Sequence, residues 1–400
     1  MTSDPLDDVV SDQYERWIYP EPIMDLRAWM KTQWQWFDPK IAHRLFWPDR
    51  DYQPHMDILV AGCGTNQAAV FAHANRRATV VAIDVSSASL EHHEFLRKKY
   101  DLKNLELHRL PIEEVASLDR EFDLIVSSGV LHHLADPLLG LTSLADSLRT
   151  DGVIAIMLYA TYGRLGVEML QSVFRDLGLG RDERSIAIVR ETLANLGPDH
   201  PVIPYLGIAP DLTYDAGLVD TFLHGRDRSY TVDDCIDLVE DAGLVFQDWF
   251  LKSPYYPPTT PQDLFHESVA ELPLRTQWSI MERTRPNNGC HLFTACRPER
   301  APETYEIDFD SDRHASFIPE FRHRCGLAGT TLSRPDWAID LDPLGLAFAG
   351  RINGWRTIAE IISEVSEDHR ARDVPPAELP EIGRHLLQTL WQMDIIAIRI

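Results

Sequence analysis

The sequence predicts an α/β fold: a doubly wound, mostly parallel seven-stranded sheet, followed by a smaller α+β unit. Three observations carry this expectation. From Asp57 onward, short apolar runs alternate with helical stretches of about a dozen residues, the pattern of a parallel sheet with crossover helices. A glycine loop follows the first run and an aspartate closes the second. A polar, proline-containing segment, CRPERAPETYEIDFDSD, then ends the pattern near residue 300.

The elements follow in order. Residues 1–50 carry YERWIYPEP, WQWFDP and RLFWPDR. Their prolines interrupt both helix and ladder, so the segment reads as an N-terminal helical arm packed over the main domain. The expected strands are 58–61, 79–83, 105–110, 122–127 and 153–158, with later ones at 245–251 and 291–295. A helix or turn follows each of the first four, making right-handed βαβ crossovers the expected topology. Residues 159–230 are too long for one crossover and hold helical runs at 166–177 and 183–196. An insertion after the carboxyl end of a strand sits over the ligand crevice of such a sheet, so this one is expected to be a cap. The main domain is expected to span 51–299. Residues 300–400 form the smaller unit, with short strands around 337–341, a helix through LGLAFAGRI, a second opened by Thr357 and Glu360 as a capping box, a third at 378–392 and the strand IIAIRI.

Acidic residues outnumber basic ones, 62 to 38, for a formal charge of −24. A phosphate backbone would meet a repulsive mean field, so nucleic acid is not an expected partner. The cysteines Cys63, Cys235, Cys290, Cys296 and Cys325 form no C-x-x-C pair and read as reduced thiols. The opening MTSDPLDDVVSDQYERW has no basic region followed by an apolar run, and no stretch reaches the roughly 20 apolar residues of a membrane span. A soluble cytoplasmic protein with no membrane partner is expected.

The first strand runs into Gly62-Cys63-Gly64-Thr65-Asn66-Gln67 and then the helical AAVFAHANR. Gly62 and Gly64 let the backbone approach a ligand. Asp84 lies 20 residues past Gly64, the spacing that brings a carboxylate to a ribose diol. A nucleoside-bearing cofactor is implied. Thr65, Asn66 and Gln67 stand where a dinucleotide would want a third glycine, which argues against NAD. Asn66 is one of the few non-glycine residues that accept a left-handed conformation.

AGCGTNQ, AIDVS, FDLIVSSGVLHHLADP and LADSLRTDGVIAIMLY resemble, in order, the motifs of the class I S-adenosylmethionine-dependent methyltransferases. The resemblance covers residues 57–158 closely and extends loosely to Arg297. It implies a Rossmann-like methyltransferase domain, S-adenosyl-L-methionine as cofactor and no metal. Carried over by residue, it sets Gly62, Cys63 and Gly64, with Asn66 and Gln67 of the same loop, by the methionine portion. It sets Asp84 on the ribose hydroxyls, Val85, Pro111 and Ile112 by the adenine, and Ser127, Ser128 and Gly129 near the sulfonium. Two positions depart from the family pattern: Val60, where an acidic residue often stands, and Asn66, in place of a third glycine.

Methyl transfer is an in-line displacement at carbon, which requires alignment of the nucleophile and, for a hydroxyl or thiol, a proton acceptor. His132 and His133, at the open end of the fourth strand, are candidates for that base; the competing reading packs one under the sheet and caps a turn with the other. TFLHGRDRSYTVDD adds His224 as a further catalytic candidate and Arg226, Arg228 and Tyr230 as substrate-binding ones, since guanidinium suits carboxylates. Part of this cluster is architecture, because Thr231 fits the N-cap of a helix at 232–242. Tyr14, Trp17 and Tyr19 suit closure over a sulfonium, which an aromatic face attracts. Tyr255, with Tyr256, is expected to line the substrate pocket or a surface turn.

In the C-terminal unit, DLDPLGLAFAGRINGWRTIAEII is similar to the peptide-binding winged-helix domain of pyrroloquinoline quinone biosynthesis. That resemblance implies a peptide or protein partner. A dimerising or lid-propping appendage is the competing reading, and IISEVSEDHRARD has no basic stripe for DNA. The expected function is methyl transfer to an oxygen, nitrogen or sulfur nucleophile of a small molecule or peptide. The alternative is a non-catalytic cofactor-binding regulatory or scaffold protein whose C-terminal unit holds a partner peptide. A homodimer is compatible with either.

Overall fold

The computed structural model describes residues 5–259 and 263–400, and the chain divides into two compact units. The first comprises the chain up to Phe37, Gln53–Asp248 and Glu282–Glu299. Its sheet is formed by β1 (Asp57–Ala61), β2 (Thr79–Asp84), β3 (Leu105–Arg109), β4 (Phe122–Ser128), β5 (Leu148–Tyr159), β6 (Val245–Trp249) and β7 (Cys290–Cys296). The strand order is β3-β2-β1-β4-β5-β7-β6. β1 pairs in parallel with β2 and β4, β2 with β3 and β4 with β5, while β7 runs antiparallel to β5. From β1 the chain moves outward to β3 on one side and, after returning, from β4 to β5 on the other. The carboxyl ends of β1 and β4 therefore flank the switch point where such sheets bind ligands.

All seven expected strands are present. β5 starts at Leu148, earlier than its apolar run suggests, because Arg149 to Asp151 break that run, and its register with β4 shifts between Phe122 and Leu124. The residues after β3 form a 3-10 helix, Ile112–Leu118. The insertion after β5 folds into helices Leu165–Asp176, Glu183–Asn195, Ile203–Leu206 and Asp215–Phe222. These share an apolar cluster that includes Val167, Phe174, Val189 and Phe222. The N-terminal helix Val9–Arg16 is capped by Asp8, which accepts from the N–H groups of Val10 and Ser11.

The second unit comprises Asp38–Tyr52, Trp249–Met281 and Arg300–Ile400. The arm expected over 1–50 therefore divides: only the part up to Phe37 groups with the first unit, and residues 38–52 and 249–281 join the C-terminal unit. Here β8 (Ile318–Phe321) pairs with β12 (Ile396–Arg399), and β9 (Gly326–Ala328), β10 (Thr331–Arg334) and β11 (Trp337–Asp340) form an antiparallel sheet. Helices Pro343–Ala349, Ile358–Ser366 and Leu379–Gln392 follow β11, the second with the expected capping box between Thr357 and Glu360. Phe317, Leu332, Ile358, Leu387 and Trp391 are among the residues of its core. Among the described residues, no helix is long and apolar enough to cross a membrane.

Candidate functional site

The site begins where β1 ends. Gly62 (φ +75°) and Gly64 (φ +51°) turn the chain through left-handed conformations, which cost other L-residues about 1–2 kcal/mol. Space demands glycine as well: a Cβ on Gly62 would lie 2.4 Å from Cγ2 of Val130. At the end of β2, Oδ2 of Asp84 accepts from the Gly64 N–H at 2.8 Å and Oδ1 from the Ser86 N–H at 2.9 Å. Burial pushes the Asp84 carboxyl up to about 6, against the pull of the Ser86, Gly64 and Val85 amides.

A cavity of about 280 Å³ opens on this turn. Gly62, Cys63, Gly64, Gln67, Asp84, Val85, Pro111, Ile112, Ser128, Gly129, Tyr14 and Tyr19 all line it. Two of the residues assigned to the cofactor do not. Ser127 is wholly buried, because side chains alternate along β4 and Ser128 takes the cavity side. Asn66 has φ −132°, which is not left-handed. Its Oδ1 accepts from the Ile23 N–H at 2.8 Å and its Nδ2 donates to the Glu21 carbonyl at 2.9 Å. The carboxamide is used to tie the N-terminal segment down over the glycine loop.

Sequence reasoning missed several lining residues, including Asp8, Glu113, Val130, Met157 and Tyr159. Met157 and Tyr159 lie at the carboxyl end of β5, Met157 in register with Ser128. Their apolar run read as core, although their place at a strand end was a usable signal.

Of the candidate bases, His133 lines the cavity. Its Nδ1 lies 2.8 Å from the Arg226 carbonyl oxygen. A carbonyl only accepts, so Nδ1 carries a proton, and in the neutral ring the lone pair falls on Nε2. That Nε2 is buried without a hydrogen-bond partner. His224 stacks on His133 with ring centroids 3.8 Å apart. Its Nδ1 accepts from the Arg226 N–H at 3.0 Å, so its Nε2 is the protonated nitrogen, facing the Tyr14 hydroxyl at 3.3 Å. Burial drives the pKa of His224 well down, as it does that of His132. His132 is stacked on Tyr159 at 4.0 Å. Neither His132 nor His224 lines the cavity.

Behind these rings lie two carboxylates, Asp220 buried and Asp227 partly so. Asp227 accepts from Arg164 at 2.9 Å and Gln171 at 2.8 Å. Asp220 accepts from the hydroxyls of Tyr14 at 2.8 Å and Tyr159 at 3.1 Å. His132, His133 and Asp227, and His133, Asp220 and His224, bring ligand-type atoms within 4.8 Å of one another.

Arg226 lines the cavity but is engaged, with Nη1 3.0 Å from Oδ2 of Asp8 and 3.3 Å from the His133 carbonyl oxygen. Arg228 and Tyr230 do not line it. Tyr230 is held by its backbone, its N–H donating to the Tyr159 carbonyl at 2.8 Å. Tyr255, in the second unit, is buried and stacked at 3.8 Å on Trp249, so it packs a core. Trp17 donates from Nε1 to the Arg181 carbonyl at 3.1 Å.

Residues 59–154 match the methyltransferase-domain family. An uncharacterized protein of Synechococcus sp. is 29% identical over 61% of this chain and 60% of its own length. The malonyl-[acyl-carrier protein] O-methyltransferase of Acetivibrio thermocellus is 30% identical over 29% of this chain and 39% of its own. The chain thus spans less than two thirds of the length of these curated relatives. Among solved structures, PKMT2 from Rickettsia typhi in complex with AdoHcy is similar over 91% of this chain and 75% of its own, at a TM-score of 0.63 and 14% identity. The chain carries a methyltransferase domain with the class I, Rossmann-like fold.

Proposed function

We propose that the chain, built on this domain, is an S-adenosylmethionine-dependent methyltransferase acting on an oxygen, nitrogen or sulfur nucleophile of a small molecule or peptide. The observation that carries this reading is the turn at Gly62 and Gly64, closed to any Cβ at Gly62, with the buried Asp84 carboxylate beside it at the switch point of the sheet. These residues fit the cofactor. The glycine turn suits the methionine portion, Asp84 the ribose diol, and the apolar Val85, Pro111 and Ile112 the adenine. Ser128, Gly129, Tyr14 and Tyr19 remain for the region of the sulfonium. When bound, the cofactor supplies an electrophilic methyl group.

The chain's own residues orient the acceptor, exclude water and receive its proton. Tyr14, Tyr19 and Asp8 from the N-terminal segment close one side of the cavity, and Nε2 of His133 is the base. The relatives named methyltransferases and the AdoHcy of the Rickettsia structure support the same reading. A scaffold without turnover draws less support than the sequence suggested, since Asn66 departs from glycine to hold the arm. For the second unit, the resemblance of DLDPLGLAFAGRINGWRTIAEII to a peptide-binding domain supports a role in holding a peptide or protein partner. The free thiols suit a reducing, cytoplasmic setting.

Calorimetric titration with S-adenosylhomocysteine tests the proposal, with NADH as control and Asp84→Ala as comparison. Binding is expected in the wild type, weakened by about 1–3 kcal/mol in the variant, as loss of a charged hydrogen bond requires. Binding of NADH instead, or no binding of either, would overturn it.

A further inference from the structure

We propose that the exposed face of the helix Leu165–Asp176 is the surface on which two copies of this chain associate, their helices antiparallel about a two-fold axis near residue 171. The apolar pattern of the helix is the first argument. Val167, Leu170 and Phe174 turn inward and are buried in the apolar cluster of the cap. Leu165, Met169, Val173 and Leu177 recur at every fourth position on the other side, and residues so spaced stack along one face of a helix. All four are between 45% and 60% exposed. They form a ridge about 18 Å long, at 1.5 Å of rise per residue. A single exposed leucine is ordinary, but a helix apolar on both faces is one that a neighbour covers.

Charge identifies the neighbour as a second copy. Glu168 in the first turn, Arg175 in the last and Asp176 beside it border the ridge, and among the described residues none of the three forms an ion pair or a side-chain hydrogen bond. Within one helix Glu168 and Arg175 lie about 10 Å apart along the axis, beyond contact. Laid antiparallel on a second copy, each feature meets its complement about one centre. Met169 faces the partner's Val173, Leu165 the partner's Leu177, and Glu168 the partner's Arg175. Asp176 comes to the amino end of the partner's helix, whose N-cap residue supplies no side-chain cap and where a carboxylate is favourable. Ser172, exposed and small, lies at the crossing, where it lets the backbones approach. A parallel arrangement would instead set Glu168 against Glu168 and Arg175 against Arg175. One two-fold axis therefore serves the ridge and the charges together, as an isologous contact requires.

The association is expected to be weak. One helix face per copy falls short of the roughly 800 Å² that each partner buries in a standard interface, and a formal charge of −24 opposes the approach. It reaches the site through Gln171, on the buried side of the same helix, whose Nε2 donates to Asp227 and to the Thr221 carbonyl. Pairing braces the helix that holds this carboxylate behind the His133 ring.

Sedimentation velocity of the full chain across the micromolar range, at moderate salt, tests the proposal. The wild type is expected to pass from one to two chain masses as concentration rises. Met169→Glu, on the exposed face, should keep the melting temperature and abolish the dimer by placing a charge in the ridge of each copy. Glu168→Arg and Arg175→Glu should each weaken it by about tenfold, since two attractive pairs become repulsive. Mixed in equal amounts, these two variants should associate with one another about as well as the wild type does with itself, because each charge then meets its opposite. That rescue reads a contact between copies and carries the test alone if Met169→Glu does not fold. A chain that stays monomeric at every concentration overturns the proposal. A dimer indifferent to Met169→Glu overturns it too, by placing the contact elsewhere, as does a mixture no more associated than its two components.

Discussion

The backbone of Arg226 sets the proton positions of His133 and His224: its carbonyl oxygen accepts from Nδ1 of His133 at 2.8 Å, while its N–H donates to Nδ1 of His224 at 3.0 Å. One residue thus fixes the tautomers of two stacked rings and leaves the Nε2 lone pair of His133 buried and unpartnered.

Replacing His133 by Gln should remove that lone pair with little change in volume. Turnover is expected to fall about 10²- to 10⁴-fold, the usual range for a general base, with S-adenosylhomocysteine affinity little changed. Single-turnover kinetics beside calorimetry would separate the two, and retained turnover would remove His133 from the base role.

Gly62→Ala should lose cofactor binding and melt earlier, since the new Cβ meets Val130 at 2.4 Å in a backbone of φ +75°. Adding Val130→Ala removes the two closest contacts but leaves the Cβ of residue 130 at 3.0 Å and the backbone cost of about 1–2 kcal/mol. The double variant should therefore recover part of the melting temperature and not all of it.

Asn66→Ala removes one buried and one partly buried hydrogen bond to the 21–23 segment. A loss of about 1–3 kcal/mol is expected if both backbone groups lose their partner. Hydrogen exchange at the Ile23 amide should accelerate; unchanged exchange would mean the segment is held by other contacts.

Asp84 gives the cofactor a pH dependence. Its pKa is raised to about 6 from an ordinary 3.8, so the carboxyl gains a proton as pH falls through that value and loses an acceptor for ribose hydroxyls. S-adenosylhomocysteine affinity should drop by up to about tenfold per pH unit below that point, and Asp84→Asn should flatten the profile. In the free protein the sign is opposite: burial of this carboxylate lowers stability as pH rises from the ordinary value through about 6.

Glu282 is 5% exposed and accepts from the Val232 N–H at 3.0 Å, with His291 3.7 Å away. Burial pushes its pKa up to about 7. A raised carboxyl favours the protonated form in the fold, so its contribution is present at low pH and lost as pH rises through about 7. Glu282→Gln should raise the melting temperature at alkaline pH and leave it unchanged in acid, as scanning calorimetry at the two extremes would show.

Much of the fold was legible because it is local. The seven strands declare themselves as short apolar runs, and β5 was cut short only where Arg149 to Asp151 interrupt its pattern. The division of the chain was less legible: no composition shift marks residues 38–52 or 249–281, which group with the C-terminal unit through packing. Asn66 shows the same limit at one residue. Its tolerance of left-handed backbone is intrinsic, but its actual conformation follows from the carboxamide's bonds to Glu21 and Ile23.

The sequence by itself determined the parallel sheet, the glycine turn and the carboxylate closing β2, because periodicity, backbone freedom at glycine and a 20-residue spacing are properties of neighbouring positions. Only the tertiary structure decided which histidine faces the cavity, that Arg226 is engaged by Asp8, and that Tyr14 and Tyr159 turn their hydroxyls to Asp220. Tyr14 and Asp220 are 206 residues apart. A side chain's remaining lone pair or proton depends on partners at such separations, and spacing along the chain carries no information about how that valence is filled.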